Sequence, residues 1–120
     1  MSSSKRTLHE DDVDASVFSD RWSKELIGGP DVPTDSGFSL GMAEYGTLEF
    51  SLQVHDDQEA LFILSGEGEV RIGDEIFPAR PGAAFFVPPH TPHATRRTGS
   101  DPVRLVYAHG AVQPTSQKTG

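Results

Sequence analysis

The chain has no cysteine among its 120 residues. Disulfides and thiolate metal sites are therefore excluded, and a reducing cytoplasm is the compartment it fits. It has no long apolar run either: nothing approaches the roughly 20 residues that cross a bilayer. The opening Met-Ser-Ser-Ser-Lys-Arg carries no apolar core behind its charges, so no secretory leader is expected. Positive charge is scarce. Ten Lys and Arg against 18 Asp and Glu leave a formal charge of −8, whereas a phosphate-binding surface needs clustered Lys and Arg. Away from the first residues, the pair Arg96-Arg97 is too small to be such a surface. Nucleic acid and membrane are thus excluded as partners. A hydrophobic content of 35% over this length allows one domain with a modest core. A soluble domain that binds a small molecule or a protein is what remains.

Turn residues and short β-like runs are what the chain does have. With 12 Gly and 9 Pro, prolines break most helical candidates. Residues 1–17 are polar and acidic and read as a mobile or loosely docked arm. In 20–27, Trp22 is expected to anchor an edge strand or short turn. Residues 28–37 carry three glycines and two prolines and form a loop. Short runs then recur over 38–45, 48–55, 59–64, 68–72, 75–79, 83–87, 93–97 and 103–109, separated by turn pairs such as Gly73-Asp74 and Pro81-Gly82. Such closely spaced strands predict an all-β sandwich or barrel over 18–111. The polar stretch 112–120 reads as a flexible tail.

The chemistry concentrates in one place. Gln53 and His55 share a face of an extended segment, because side chains alternate with period two. Glu59 opens the next apolar run, across a turn made of Asp56, Asp57 and Gln58. His93 follows in Val-Pro-Pro-His-Thr-Pro-His. Imidazole, carboxylate and carboxamide together suit a first-row divalent ion, so Gln53, His55, Glu59 and His93 are the candidate metal ligands. Gln53 either ligates weakly through its carboxamide oxygen or leaves a coordination position open to water or substrate. Tyr107 and His109 share a face of the last run and, with Glu44, are candidate catalytic groups. Phe62, Phe85, Phe86 and Met42 read as core.

The stretch 46–99 resembles the two motifs of the cupin superfamily. The first motif has the form G-x5-H-x-H-x3–4-E-x6-G. Here His55 lies four residues before Glu59, and six residues separate Glu59 from Gly66, but Gln53 stands where the motif has its first histidine. The second motif, roughly G-x5-P-x-G-x2-H-x3-N, maps onto Pro88-Pro89-His90-Thr91-Pro92-His93. His90 takes the usual glycine's place and Arg97 the usual asparagine's. His90 is expected to line the entrance or cap a loop. Arg97 is expected to point outward or pair with an acidic neighbour, an inward position holding a substrate carboxylate being the alternative.

The resemblance implies a jelly-roll β-barrel with a divalent metal (Fe, Mn, Ni, Zn or Cu) in its mouth, a small-molecule substrate and pairing as a homodimer. Three functions follow as expectations. The first is an enzyme using Lewis-acid chemistry, whether isomerase, cyclase, lyase or hydrolase. The second is a non-haem Fe(II)-type dioxygenase. The third is a non-catalytic metal- or ligand-binding cupin.

Overall fold

The computed structural model describes residues 6–35 and 37–112. The arm's first five residues and the tail from 113 onward lie outside the described residues. Among the described residues nine strands follow a single 3₁₀ turn, Glu10–Asp12: β1 (Ser16–Val17), β2 (Arg21–Ile27), β3 (Ser39–Tyr45), β4 (Gln58–Ser65), β5 (Gly68–Ile72), β6 (Glu75–Ala79), β7 (Ala84–Val87), β8 (His93–Arg97) and β9 (Val103–Gly110). They form a six-stranded antiparallel sheet in the order β1-β2-β3-β9-β4-β7 and a three-stranded one in the order β6-β5-β8. This is the all-β jelly roll that was expected. The described residues contain no helix long and apolar enough to cross a membrane.

The core follows from period-two patterning. Along β4 the inward residues are Glu59, Leu61 and Ile63, while Ala60, Phe62 and Leu64 face out. Ile63, Val70, Val87, Val103 and Leu105 are the largest fully buried side chains. Burying each contributes about 1.5–3 kcal/mol, and four of the five are β-branched, which suits a pleated strand. Gly66 closes the turn after β4 at φ +83°, where a Cβ would lie 2.1 Å from the Pro102 carbonyl oxygen. The turn thus accounts physically for the glycine that ends the first motif.

Several strand expectations need correction. Residues 48–55 are not a strand; their only ladder contact is the bridge between Gln53 and His93. The alternation there is genuine, but Leu48, Leu52 and Val54 face outward and are exposed, so no neighbouring strand covers them. Arg21–Ile27 is a full seven-residue strand, paired on both edges by β1 and β3. Its inner face is polar, which hides it from a search for apolar alternation. Phe62 and Phe86 are 47% and 57% exposed on the outer sheet face, not in the core, whereas Met42 is buried. The arm reaches that same outer face: Glu10 Oε1 lies 2.7 Å from Arg104 Nη2, and its carbonyl accepts from Lys24 Nζ.

Candidate metal centre and cavity

Four segments converge on one carboxylate. Glu59 enters from the start of β4 and is only 8% exposed. Its Oε1 lies 3.2 Å from His55 Nε2 and 3.0 Å from His93 Nε2, and its Oε2 lies 3.0 Å from His109 Nε2. The backbone fixes these approaches. Glu59 and His109 are direct partners in the β4–β9 register. Gln53 and His93 exchange both backbone hydrogen bonds, and the His90 amide donates to the His55 carbonyl. The two motif segments are thereby tied side by side.

The far nitrogens of the rings are held as well. Asp57 straddles two of them, with Oδ1 2.6 Å from His55 Nδ1 and Oδ2 3.6 Å from His109 Nδ1. His93 Nδ1 lies 2.9 Å from the Thr91 carbonyl. Anchoring Nδ1 leaves Nε2 aimed inward, as metal-binding histidines require. His109 Nε2 is buried and, despite its closeness to Glu59, makes no hydrogen bond of acceptable geometry. An imidazole nitrogen aimed at a carboxylate oxygen without sharing a proton along that line suits two donors meant for a common third atom. Ligand atoms of His55, Glu59 and His109 lie within 4.8 Å of one another. The donor set therefore fits a borderline divalent ion.

Protonation follows the same contacts. Burial would raise the Glu59 pKa, but contacts with His109 and His93 outweigh it and pull the carboxyl down to about 2. For His93, burial works to lower the pKa, and Glu59 with the Thr91 carbonyl reverses the sign to a rise. His109 is raised chiefly by its contact with Glu59. Tyr45 is pushed up to about 12, mainly by burial. Tyr107 is pushed up further by burial and by the Glu25 carboxylate that accepts its hydroxyl hydrogen bond at 2.9 Å.

Beside the cluster lies a cavity of about 80 Å³ whose lining includes Arg21, Ser23, Tyr45, Gln53, Tyr107 and His109. Tyr107 lines it and crosses a glycine. Glu25, Gly41 and Tyr107 form one row across β2, β3 and β9, and a Cβ on Gly41 would lie 2.3 Å from the Tyr107 hydroxyl. The bare backbone at 41 is what lets the ring lie flat across β3 to reach Glu25.

Of the residues singled out from sequence, the fold gathers His55, Glu59, His93, Tyr107 and His109 in one place. Gln53 lines the cavity, with its carboxamide nitrogen 3.5 Å from Tyr45 Oη. Glu44 does not join them. The alternation that sends Ala43 and Tyr45 to the cavity sends Glu44 to the opposite face, where its carboxylate is 3.4 Å from Arg104. His90 caps the loop through its amide and sets its ring beside Asp56. It adopts φ +60°, the left-handed conformation that the motif's usual glycine takes without strain. Arg97 donates to the carbonyls of Gly46 and Gly99, so it pins loops instead of facing the cavity. Sequence reasoning missed Asp57, which was assigned only a turn, along with Arg21, Ser23 and Tyr45. The polar parity of Arg21, Ser23 and Glu25 along one strand was the available signal.

Comparison with known proteins agrees with this geometry. The cupin domain model matches residues 41–109. An L-ectoine synthase of Saccharophagus degradans is 32% identical over 107 residues, covering 85% of this chain and 79% of that protein. An L-ectoine synthase of Vibrio parahaemolyticus is 30% identical over 94 residues, covering 76% and 72%. Among solved structures, an RmlC-like cupin from Shewanella frigidimarina superposes with a TM-score of 0.74 at 15% identity, over 94% of this chain and 96% of that one. Motif spacing, barrel topology and family match coincide on the same residues, and the chain belongs to the cupin family.

Proposed function

We propose that this protein is a metal-dependent enzyme acting on a small molecule by Lewis-acid chemistry of the isomerase, cyclase, lyase or hydrolase kind. One observation carries the reading: three imidazoles with anchored Nδ1 atoms turn their Nε2 atoms onto a single buried carboxylate. His55, Glu59 and His109 would hold a divalent ion, with His93 on the same carboxylate; in this reading His109 takes the place left by Gln53. When bound, such an ion polarises a substrate oxygen. The chain's own groups supply the proton handling. Tyr107 keeps its proton on Oη at neutral pH, because burial and Glu25 raise its pKa. That proton is given in a hydrogen bond to Glu25 at 2.9 Å, so Tyr107 and Glu25 form a proton-sharing pair beside His109. Gln53 and Tyr45 orient a bound molecule across the cavity. The synthase names of the two sequence relatives favour this non-redox branch. A homodimer formed through the outer sheet face, where Phe62 and Phe86 are exposed, completes the proposal.

Metal analysis of protein exposed to Fe, Mn, Ni, Zn and Cu tests the reading. Stoichiometric uptake, lost in His55→Ala, Glu59→Ala and His109→Ala, is expected. Failure of the wild type to retain any of these ions sinks it. Two imidazoles and a carboxylate are also the donor set of non-haem Fe(II) oxygenases. Oxygen consumption by the Fe(II)-loaded protein with an enol or diketone would overturn the non-redox branch. Sedimentation as a 13.0 kDa species would remove the dimer.

A further inference from the structure

The wall of the cavity has a cation that the metal reading leaves unused. Arg21 is the one Lys or Arg among the lining residues. Its Nη1 donates to Asp20 Oδ1 at 2.9 Å, and Asp20 is itself buried. The guanidinium carbon lies 4.3 Å from the centre of the Phe18 ring and 5.8 Å from that of Tyr45. The group is thus fixed by an ion pair and by an aromatic face, while no hydrogen bond among the described residues reaches its Nε or Nη2. An arginine held this way presents a rigid two-donor edge, which matches a carboxylate and loses little freedom on binding one. Glu59 does not compete for it, because His93 and His109 already meet that charge.

We propose that the cavity takes a small substrate bearing a carboxylate, held on the free edge of Arg21 while the remainder of the molecule faces His55, Glu59 and His109. The proposal rests on the reading of this cavity as the substrate chamber. A dianionic phosphate is disfavoured, since it would meet a single cation with the Asp20 carboxylate beside it. Size points the same way. About 80 Å³ is two to three times the ~30 Å³ that a water molecule occupies, enough for a carboxylate on a short carbon stem.

Ligand-observed NMR titration of propionate and its uncharged counterpart propanamide tests this, on metal-free and on zinc-loaded protein. The variants are Arg21→Lys and the double change Asp20→Asn/Arg21→Gln, which removes both charges so that no buried carboxylate is left bare. The wild type is expected to prefer propionate over propanamide by about tenfold or more in both metal states. The double variant should lose about ten- to a hundredfold in propionate affinity, and Arg21→Lys, which lacks the planar fork, should fall between. Equal propionate affinity in wild type and double variant overturns the proposal, as does a wild type that shows no preference for the anion. Zinc content of the same samples separates the two readings. An Arg21-dependent preference in a protein that holds no zinc would sink the metal reading alone, whereas retained zinc without the preference would sink only this one.

Discussion

The two central strands β4 and β9 each have two different inner ends. On β9 the inward residues run Val103, Leu105, Tyr107, His109, and on β4 they run Ile63, Leu61, Glu59. One end is dry and aliphatic; the other is a ring of titratable groups around a small cavity. The same hydrogen-bond ladder carries both, so the closed end holds the open end in register. Burying Glu59 and three imidazoles costs desolvation that mutual contact only partly offsets. The aliphatic end supplies the surplus stability on which the polar end depends.

Five experiments can break or sharpen that division. Ile63→Ala at the closed end should cost about 2–5 kcal/mol in a denaturant titration and leave the metal affinity of the folded fraction unchanged. A large fall in affinity would show that the ends are not separable. Glu59→Ala, its counterpart at the open end, should abolish divalent metal uptake with the fold intact by circular dichroism. Asp57→Asn removes the charge that holds two Nδ1 atoms. It should weaken zinc binding about 10- to 100-fold in a competition titration, and an unchanged affinity would return Asp57 to a turn role.

The fourth experiment uses pH. The folded Glu59 pKa lies near 2, below its ordinary 4.5, so its contribution is present above 4.5 and is lost as pH falls toward 2. His93 and His109 are raised above 6.5. Their contribution is full below 6.5 and is lost as pH climbs through the folded values. Chelated protein should therefore melt highest between roughly pH 4.5 and 6.5. Zinc-loaded protein should instead gain stability from pH 5 to 8, because ligating imidazoles must be neutral. Parallel melting profiles would refute the contrast. The smallest effect belongs to His90→Gly, which relieves the left-handed backbone and should change stability by no more than about 1 kcal/mol, in the stabilising direction.

The closed end was the more legible in sequence. β5, β6 and β8 have the bounds that alternation and turn residues predict, and Val70, Ala79 and Ala94 on them are buried. At the open end a motif marked His55, Glu59 and His93, while strand parity pointed to Tyr107 and His109 as catalytic groups and not to His109 as a ligand. His109 arrives from a separate strand, with no fixed spacing to the others. Arg21 and Ser23 line a cavity, so their inner face is polar and mimics a surface. Asp57 is indistinguishable in sequence from any turn aspartate; only the fold shows that it straddles two rings. Glu44 was misjudged by parity alone, where an error of one residue moves a side chain through the sheet.

The place of β9 bears on when this protein becomes competent. It is the last of the described strands in chain order, yet it lies between β3 and β4 in the middle of the large sheet. Until it arrives, those two strands have no partner in common, and the ring that His109 completes stays open on one side. Long-range pairing of this sort slows folding. During synthesis, then, the proposed metal ligands of the earlier segments exist for some time without their last member. An ion captured in that interval would meet an unfinished coordination set, so the nascent and finished chains are expected to differ in which metals they hold.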